Sequence, residues 1–433
     1  MSQRRAVVFS CDAMVYEDIE YLLGKSKRFA DLVSGGAMVK RTRTIYPTVT
    51  YPAHTAMSTG CYPDKNGVYN NSEFHPGMLK NVPWNWFAKA IKCPDIFTAA
   101  KKAGLTTACV FWPVTAGHEY IDYNFPEYWP QTPEETNKEA FLRAGTTEKL
   151  WDECIEPHLG DVKIRSHPGT DDFLVEVACD MIKRYRPHLL MLHTGDLDSF
   201  RHRSGLFNDL IRRGCDDAER WLFDLMDAAK EAGVFEDTDF FLTSDHGQLE
   251  IVRSVKPNVI LADNGLIDVG PDGTLADWKA YCLSAGMSAQ IILKDPSDRE
   301  VYDRTYEVLK HMRDEGIYGI SEVYTAEEAE KLEHLAGRFS FVLETDGYSS
   351  FAEGWTRPIV RPLDLSDYRF GRATHGYYPD KGPQPVFIGY GPDIKPGVVL
   401  ERRPTVDEAP TYARVLGVGM PWADGHAIDE FFV

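Results

Sequence analysis

The sequence predicts an α/β fold with a mostly parallel central sheet flanked by helices on both faces. Short, continuous apolar runs of the kind typical of buried parallel strands occur at residues 6–11, 106–113, 188–194 and 238–243. Segments with helical periodicity separate these runs. Acidic and histidine residues follow several of them, so we expect the functional site at the carboxyl ends of the strands.

The helices and the remaining strands are predicted from periodicity, Pro and Gly punctuation and capping residues. A β-like run covers 38–46, and the later strands are expected near 289–294, 339–344 and 385–392. The predicted helices are 17–33, 52–60, 95–103, 147–155, 171–185, 208–232, 298–315, 326–335 and 407–416.

The 433 residues are interpreted as one catalytic domain, 1–433, with two insertions. Residues 114–169 are rich in Tyr, Trp, Pro and Glu, and we expect them to form a lid or a wall of the substrate site. Residues 256–350 combine strands and helices and are predicted to form a second, cap-like insertion.

The composition restricts the partners and the compartment. The formal net charge of −19, from 47 basic and 66 acidic residues, disfavours binding to nucleic acid polymers or anionic membranes. An anionic substrate would therefore need bound metal to reverse the local field. Eight scattered cysteines without a CxxC pair, and no apolar run long enough for a signal peptide or a membrane span, predict a cytoplasmic protein.

Residues 46–71, YPTVTYPAHTAMSTGCYPDKNGVYNN, contain a candidate phosphoryl site. Pro52 suits the first turn of a helix, and Gly60 suits its end. Thr50 would place its hydroxyl beside the free N–H groups and the positive dipole end of that helix. The alternative is an ordinary turn with a capping threonine.

Further candidates follow the strands along the chain. Asp12 ends the first strand run, and it would otherwise be a helix cap. Asp198 and His202 are four residues apart, which suits two ligands of one metal on one helix face or an ordinary i,i+4 pair. Asp245 and His246 follow the strand run 238–243.

The glycine after this last pair, and a late histidine, complete the set. Both Asp245 and His246 can face one ion only where the strand gives way to a loop, and Gly247 permits that. His375 lies in a late glycine-flanked loop, and alone it would be read as a structural or surface histidine.

Three aspartates and three histidines suit Zn²⁺ better than an all-oxygen Mg²⁺ or Ca²⁺ site, with Mn²⁺ as the alternative. Two such ions about 3.5–4 Å apart can hold the attacking and leaving oxygens of an in-line displacement. A threonine at the same place could then act as the nucleophile without a histidine base. The residues therefore predict a two-metal hydrolase.

The order of these motifs resembles the alkaline phosphatase superfamily, and most closely its nucleotide pyrophosphatase/phosphodiesterase (type I phosphodiesterase) family. The resemblance runs through Asp12, TYPAH with TG-x-YP-x-x-x-G, FWP, D-S-x-x-H, SDHG and the late HG. It implies an alkaline-phosphatase-like sheet with lid-forming insertions. The implied activity is hydrolysis of phosphodiester or pyrophosphate bonds in a small anionic phosphate ester, through a covalent phosphothreonine.

The resemblance also implies a role for each site residue. Thr50 is the nucleophile, with Thr48 as the competing hydroxyl, and Asn71 donates to a phosphoryl oxygen. Tyr51 and His193 are the expected substrate contacts. One metal ion is held by Asp198, His202 and His375, and the other by Asp12, Asp245 and His246 with Thr50 approaching it.

Two departures from the family pattern leave the substrate open. Ala53 replaces the usual asparagine, and His193 stands where nucleotide-cleaving members often have an aromatic residue. A phosphonate hydrolase of the phosphonoacetate type, or a phosphomonoesterase, remains an alternative on the same two-zinc core. A non-catalytic relative that binds an anion is a third possibility, and the sequence leaves the oligomeric state undetermined.

Overall fold

The structure is a computed structural model that describes residues 4–365 and 371–433. Eight strands form the central sheet, in the spatial order β8-β2-β7-β6-β1-β5-β3-β4. They are β1 (Arg5–Cys11), β2 (Ala37–Arg43), β3 (Thr107–Val110), β4 (Tyr123–Phe125), β5 (Leu189–Thr194), β6 (Thr238–Thr243), β7 (Phe387–Tyr390) and β8 (Val398–Pro404).

Seven of these eight strands run in one direction. Only β7 is antiparallel to its neighbours, β6 and β2, and the other pairings are parallel. The predicted mostly parallel sheet is therefore confirmed. The carboxyl ends of β1, β2, β5 and β6 meet at one edge of the sheet, where the predicted site residues follow them.

Both faces of the sheet are buried, which explains the continuous apolar runs. Val7 and Phe9 of β1 belong to one core cluster, and Ala6 and Val8 belong to the cluster on the opposite face. Helices cover both clusters. In chain order the helices are α1 (Tyr16–Lys25), α2 (Lys27–Ser34), α3 (Thr50–Thr59), α4 (Pro63–Asn66), α5 (Ile96–Lys102), α6 (Asn137–Arg143), α7 (Glu148–Leu150), α8 (Glu156–Leu159), α9 (Gly169–Tyr185), α10 (Asp196–Ser204), α11 (Asp209–Glu231), α12 (Pro257–Asp263), α13 (Arg299–Asp314), α14 (Ala326–Glu333) and α15 (Glu408–Leu416).

Two helix predictions differ from the structure. The single helix predicted over 17–33 is two helices, because the Ser26 hydroxyl accepts a hydrogen bond from the Phe29 N–H at 3.2 Å and caps a new helix. The helix predicted over 147–155 begins as α7 and continues as a π-helical turn, Trp151–Ile155.

Short strands lie within and beside the two predicted insertions. Residues 114–169 contain β4, which pairs with β3 and so forms part of the central sheet. Beside the second predicted insertion, 256–350, short strands at Arg253–Val255 and Val360–Arg361 pair with each other. Strands of two or three residues carry too little periodicity to be found in a sequence.

The cap-like region is built on an antiparallel sheet with its own apolar core. The four strands of this sheet, in spatial order, are Ala280–Ser284, Ser288–Leu293, Phe341–Thr345 and Ile320–Thr325. A three-stranded sheet consists of Ser349–Phe351, Arg253–Val255 and Val360–Arg361. Two further sheets have two strands each: Ile267–Val269 with Leu275–Trp278, and Leu249–Glu250 with Ala373–Thr374.

Among the described residues, no helix has both the length and the apolar character needed to cross a bilayer. All eight cysteines are free thiols. The cytoplasmic location inferred from the sequence stays a prediction.

A buried ion pair fixes the position of α10. The guanidinium of Arg201 donates to both carboxylate oxygens of Asp18 at 2.7 Å, and it also contacts the carbonyl of Ala13. Arg201 and Asp18 are 1% and 3% exposed, so neither charge is solvated by bulk water. The pair joins α10 to α1 beneath the functional edge of the sheet.

Replacing Asp18 with Asn should destabilise the fold strongly, because the Arg201 guanidinium would remain buried without a counter-charge. We expect the free energy of unfolding to fall by about 3–5 kcal/mol, as measured by denaturant unfolding. The matched control is Asp31→Asn in the exposed Lys27–Asp31 pair of α2, which should leave the midpoint nearly unchanged. Equal effects of the two substitutions would contradict this role of Asp18.

Candidate active site

The six predicted metal ligands converge at the carboxyl edge of the central sheet. Each lies where a strand gives way to a loop or helix. Asp12 follows β1, Asp198 and His202 lie in α10 after β5, Asp245 and His246 follow β6, and His375 follows the short strand Ala373–Thr374.

Asp198, His202 and His375 form one group that could hold a metal ion. The Nε2 atom of His202 lies 3.2 Å from Asp198 Oδ2, and that of His375 lies 3.7 Å from Asp198 Oδ1. The Nδ1 atom of His202 lies 2.7 Å from the Ala373 carbonyl oxygen, and that of His375 lies 3.1 Å from the Thr48 carbonyl oxygen. A carbonyl only accepts, so Nδ1 carries the proton and Nε2 presents a lone pair toward Asp198.

The second group consists of Asp12, Asp198 and His246. His246 Nε2 lies 3.5 Å from Asp12 Oδ1. Asp198 rather than Asp245 completes this group of three, although Asp245 Oδ2 is 3.2 Å from His246 Nε2. Asp245 Oδ1 also accepts from the Ala13 N–H at 3.2 Å, and its Oδ2 lies 3.5 Å from His54 Nδ1.

The chemistry of these donors fits a divalent cation. Asp12 Oδ1 and Asp245 Oδ2 are buried oxygens that accept no hydrogen bond from the described residues. Burial raises the pKa of both carboxyls. The charge of Asp198 adds to the effect at Asp12, and the charge of Asp12 adds to it at Asp245. Burial lowers the pKa of His246 well below its usual range and that of His375 to about 4. Neutral imidazoles that face carboxylates are what a bound Zn²⁺ requires.

Thr50 is the first residue of α3, and its side chain reaches the cluster. Its Oγ1 lies 3.3 Å from His246 Nε2, and the residue is 8% exposed. Val49 before it is extended, so the hydroxyl stands at the open N-terminus of a ten-residue helix. The helix ends at Gly60, with φ of 68°, as the sequence predicts. Thr48, the competing hydroxyl, is fully buried and donates to the Tyr377 carbonyl.

Asn71 and His193 line the cavity, whereas Tyr51 does not. The Oδ1 atom of Asn71 accepts from the Tyr51 N–H at 2.8 Å, which leaves the Asn71 amide group as a donor. His193 packs behind Asp12, with Nε2 at 3.2 Å from Asp12 Oδ2. Tyr51 is fully buried, with its ring edge-to-face against Trp84, so it offers no face to a substrate. The aromatic wall at this point is Trp84.

Sequence reasoning did not identify two residues that contact the cluster. His54 lies one turn after Thr50, with Nδ1 2.9 Å from the Thr50 carbonyl and Nε2 2.9 Å from the Ser10 hydroxyl. Gln248 donates to Asp198 Oδ1 at 2.5 Å. Spacing could have pointed to both, since His54 is at i+4 from Thr50 and Gln248 ends the SDHGQ run.

A glycine is needed at position 247 for close packing and not for the backbone conformation that the sequence analysis expects. Its φ is outside the left-handed region, but a Cβ would collide with the Pro383 carbonyl.

The cluster opens into a cavity of about 980 Å³. Its walls come from the central sheet, from the first insertion and from the cap-like region. The first insertion contributes Glu127, Trp129, Arg165 and His167, and the cap-like region contributes Lys256 and Glu353. The cavity is large enough for a substrate of nucleotide size.

A family model described as "Type I phosphodiesterase / nucleotide pyrophosphatase" matches residues 6–377. The chain belongs to this family. The match covers the segment from β1 to just past His375, and so includes all six candidate ligands, Thr50 and Asn71.

Relatives of this type I phosphodiesterase family member are named as hydrolytic enzymes. Ectonucleotide pyrophosphatase/phosphodiesterase family member 1 of Rattus norvegicus is 23% identical over 400 residues, which are 91% of this chain and 39% of the rat protein. Ectonucleotide pyrophosphatase/phosphodiesterase 1 of Saccharomyces cerevisiae is 23% identical, over 82% of this chain and 48% of its own length. The chain thus spans about two fifths to one half of these relatives.

Solved structures of the same family have the same fold. Murine ectonucleotide pyrophosphatase/phosphodiesterase 5 superposes with a TM-score of 0.66 at 18% identity, and the match covers 100% of both chains. An inactive threonine-to-alanine variant of that murine protein, in complex with AMP, gives the same TM-score over 98% of this chain and 97% of the murine one. The alkaline-phosphatase-like architecture is therefore confirmed.

The metal-free family member should be destabilised by its own buried carboxylates. A carboxyl whose pKa is raised in the folded state makes its full contribution to the free energy of unfolding below its ordinary pKa of about 4. That contribution is lost as the pH rises through the pKa that the carboxyl has in the folded protein. Metal-free Asp245→Asn protein should therefore be more stable than metal-free wild type at neutral pH, by about 1–3 kcal/mol. The difference should disappear toward about pH 4.

Thermal unfolding after chelation, with and without added zinc, measures this effect. Zinc should reverse the order by stabilising the wild type more than Asp245→Asn. Identical unfolding of the two metal-free proteins at every pH would contradict the role of the buried carboxylates.

Proposed function

We propose that this protein hydrolyses phosphodiester or pyrophosphate bonds of small substrates, with Thr50 as nucleophile and two divalent cations. The observation that carries the proposal is the Thr50 hydroxyl at 3.3 Å from His246 Nε2, at a helix N-terminus beside a buried carboxylate–histidine cluster. The inactive threonine-to-alanine variant of the murine neighbour supports a threonine in this role.

The residues present would hold two zinc ions, with manganese as the alternative. Asp198, His202 and His375 would bind one ion, and Asp12, Asp245 and His246 would bind the other, with Asp198 close to both. When bound, such ions acidify a hydroxyl and neutralise phosphoryl oxygens. Their identity is part of the proposal.

The chain's own groups would position the phosphoryl group. The N-terminus of α3 offers free N–H groups and a positive dipole end beside Thr50. Asn71, with its Oδ1 fixed by the Tyr51 N–H, would donate its amide hydrogens to a nonbridging oxygen. Attack by Thr50 would give a phosphothreonine, which water then hydrolyses.

A small substrate is consistent with the cavity of about 980 Å³. The net charge of −19 opposes a nucleic acid polymer. Trp84 and Trp129, with the Arg165 guanidinium over both rings, form an aromatic wall that a flat group such as a base could contact. The AMP bound to the murine neighbour supports a nucleotide as one member of this class. His193 lines the same cavity next to Asp12 and could contact the substrate there.

Thr50→Ala should abolish turnover of an aryl phosphodiester, because it removes the attacking oxygen. The loss in kcat should be about 10⁴-fold or more, while metal analysis still finds about two ions per chain. The matched control is Thr55→Val in the same helix, which removes a buried hydroxyl bonded to the Tyr51 carbonyl and should retain activity. Full activity of the Thr50→Ala protein would overturn the assignment.

A second candidate, a phosphonate or phosphomonoester hydrolase, is favoured by Lys256 in the cavity wall. This lysine is 8% exposed and contacts the Thr356 carbonyl, and the described residues give it no carboxylate partner. A substrate with a second anionic group, such as phosphonoacetate, could meet that charge.

Side-by-side kcat/KM values for a diester, a monoester and phosphonoacetate distinguish the candidates. The first proposal requires the diester to be the best substrate. Preference for phosphonoacetate, lost in Lys256→Met, would establish the second. A metal-loaded protein inert to all three would point to an anion-binding relative without turnover.

A further inference from the structure

The side chain of Gln248 is buried against Asp198, and its amide donates to that residue twice. The Gln248 Nε2 atom lies 2.5 Å from Asp198 Oδ1 and 3.1 Å from the Asp198 main-chain oxygen. Both of these oxygens are acceptors, so it is the amide nitrogen that faces Asp198. Gln248 is fully buried. One side chain therefore holds Asp198 by its carboxylate and by its main chain together.

Packing alone does not account for an amide at this position. The Oε1 atom of Gln248 is buried and receives no hydrogen bond from the described residues. A buried amide oxygen without a donor costs free energy that an apolar side chain of the same size would not cost. The amide at position 248 is therefore better explained by what it does to Asp198 than by the packing of the core.

A second buried glutamine shows what a structural role looks like in this chain. Gln290 is also fully buried, but both ends of its amide have partners. Its Oε1 atom accepts from Asn70 Nδ2 at 2.6 Å, and its Nε2 atom donates to the Tyr69 carbonyl at 3.0 Å. Neither partner is a candidate metal ligand. Gln248 differs because both of its hydrogen bonds go to one candidate ligand.

The segment that carries Gln248 also supports other ligands. The strand Leu249–Glu250 follows Gln248 and pairs with the strand Ala373–Thr374, which directly precedes His375. The Ala373 carbonyl in this two-stranded ladder accepts a hydrogen bond from His202 Nδ1 at 2.7 Å. Gln248 thus reaches Asp198 from the same ladder that positions His202 and His375.

The carboxylate of Asp198 has a choice of neighbours. We call Asp198, His202 and His375 the first ligand group, and Asp12, Asp245 and His246 the second. Asp198 belongs to the first group but also lies within reach of Asp12 and His246. A carboxylate on a rotatable side chain can turn toward either group.

The amide of Gln248 restricts this choice. It engages Asp198 Oδ1, whereas Asp198 Oδ2 lies 3.2 Å from His202 Nε2 and takes no part in the bond to Gln248. The second hydrogen bond, to the main-chain oxygen of Asp198, fixes the amide relative to α10. Asp198 is thereby held facing His202 within the first ligand group.

We propose that Gln248 is a positioning residue that keeps Asp198 in the first ligand group and so sets the affinity of the cation bound there. This inference rests on the proposed two-metal function. Groups that hydrogen-bond to metal ligands typically change the affinity for the metal by about 10–100-fold. The hydrogen bonds that the described residues give to the Gln248 side chain involve Asp198 alone, so the affinity of the second ligand group should not depend on it.

Gln248→Met tests this role, because methionine has a similar length and offers no donor. Zinc affinity is measured by competition with a chromophoric chelator in two backgrounds that each retain one ligand group. His246→Ala disables the second group, and His375→Ala disables the first. Adding Gln248→Met should lower the zinc affinity about 10–100-fold in the His246→Ala protein and should leave it unchanged in the His375→Ala protein.

Thermal unfolding separates positioning from packing. A ligand that binds the folded state raises the melting temperature by an amount that depends on its affinity. The rise on adding zinc should therefore be smaller for Gln248→Met than for the wild type. The matched control is Gln290→Met, which removes two hydrogen bonds from another fully buried amide. It should lower the melting temperature with and without zinc and keep the wild-type rise.

A shorter amide provides a second variant should Gln248→Met fail to fold. Gln248→Asn keeps the polar group but draws it back by one methylene, so the two bonds to Asp198 are lost. It should show the same loss of zinc affinity, confined to the first ligand group.

Unchanged zinc affinity of the His246→Ala protein, or equal losses in both backgrounds, would overturn the proposal. A wild-type rise in melting temperature in the Gln248 variants would overturn it as well, because that is the result of a packing role. Failure of the proposed function looks different: the wild type then binds no zinc at these groups, or Thr50→Ala stays fully active. Failure of the role of Gln248 leaves both wild-type zinc binding and dependence on Thr50 intact.

Discussion

Three aspartates, the buried Asp12 and Asp245 and the partly buried Asp198, lie together at the carboxyl edge of the sheet, and the rest of the structure depends on this constraint. Asp12, Asp198 and Asp245 would repel one another in a medium that solvates charge poorly, and two of their oxygens receive no hydrogen bond from the described residues. The imidazoles beside them present lone pairs rather than protons. Cations bound between these groups would make the arrangement favourable.

The fold holds this arrangement because its supports lie outside the cluster. Apolar clusters on both faces of the sheet fix β1, β5 and β6, whose ends carry the ligands. The Arg201–Asp18 pair anchors α10 from below, and backbone carbonyls orient His202 and His375. The same turn that leads into α10 holds the pair of His167 and Asp171, whose side chains are 2.6 Å apart in the cavity wall. The candidate ligands Asp198 and His202 and this pair are therefore held by α10 and the turn before it.

The sequence predicts the parts of the fold and site that depend on local pattern. The strands buried on both faces and the ligands that follow them could be recognised because apolar runs and strand ends are local features. The position of Thr50 at the start of α3 was predictable for the same reason, from Pro52 and Gly60.

Features that depend on tertiary contacts could not be predicted. The division of the first helix at Ser26, the edge strand β4 and the short cap strands have weak local signals. The closeness of Asp198 to both ligand groups depends on how the ends of several strands meet in the fold. Tyr51 was expected at the substrate, but its burial against Trp84 is decided by packing. His167 carries no motif at all, and its place in the cavity wall depends on Gly195 and Asp171.

Anomalous diffraction from crystals of the zinc-loaded protein tests the central claim most directly. Two zinc peaks should appear at the carboxyl edge of the sheet, one bound by Asp198, His202 and His375, and the other by Asp12, Asp245 and His246 with Thr50 Oγ1 beside it. Absence of zinc from both positions, or zinc bound only elsewhere on the chain, would contradict the claim that these buried carboxylates are arranged around cations.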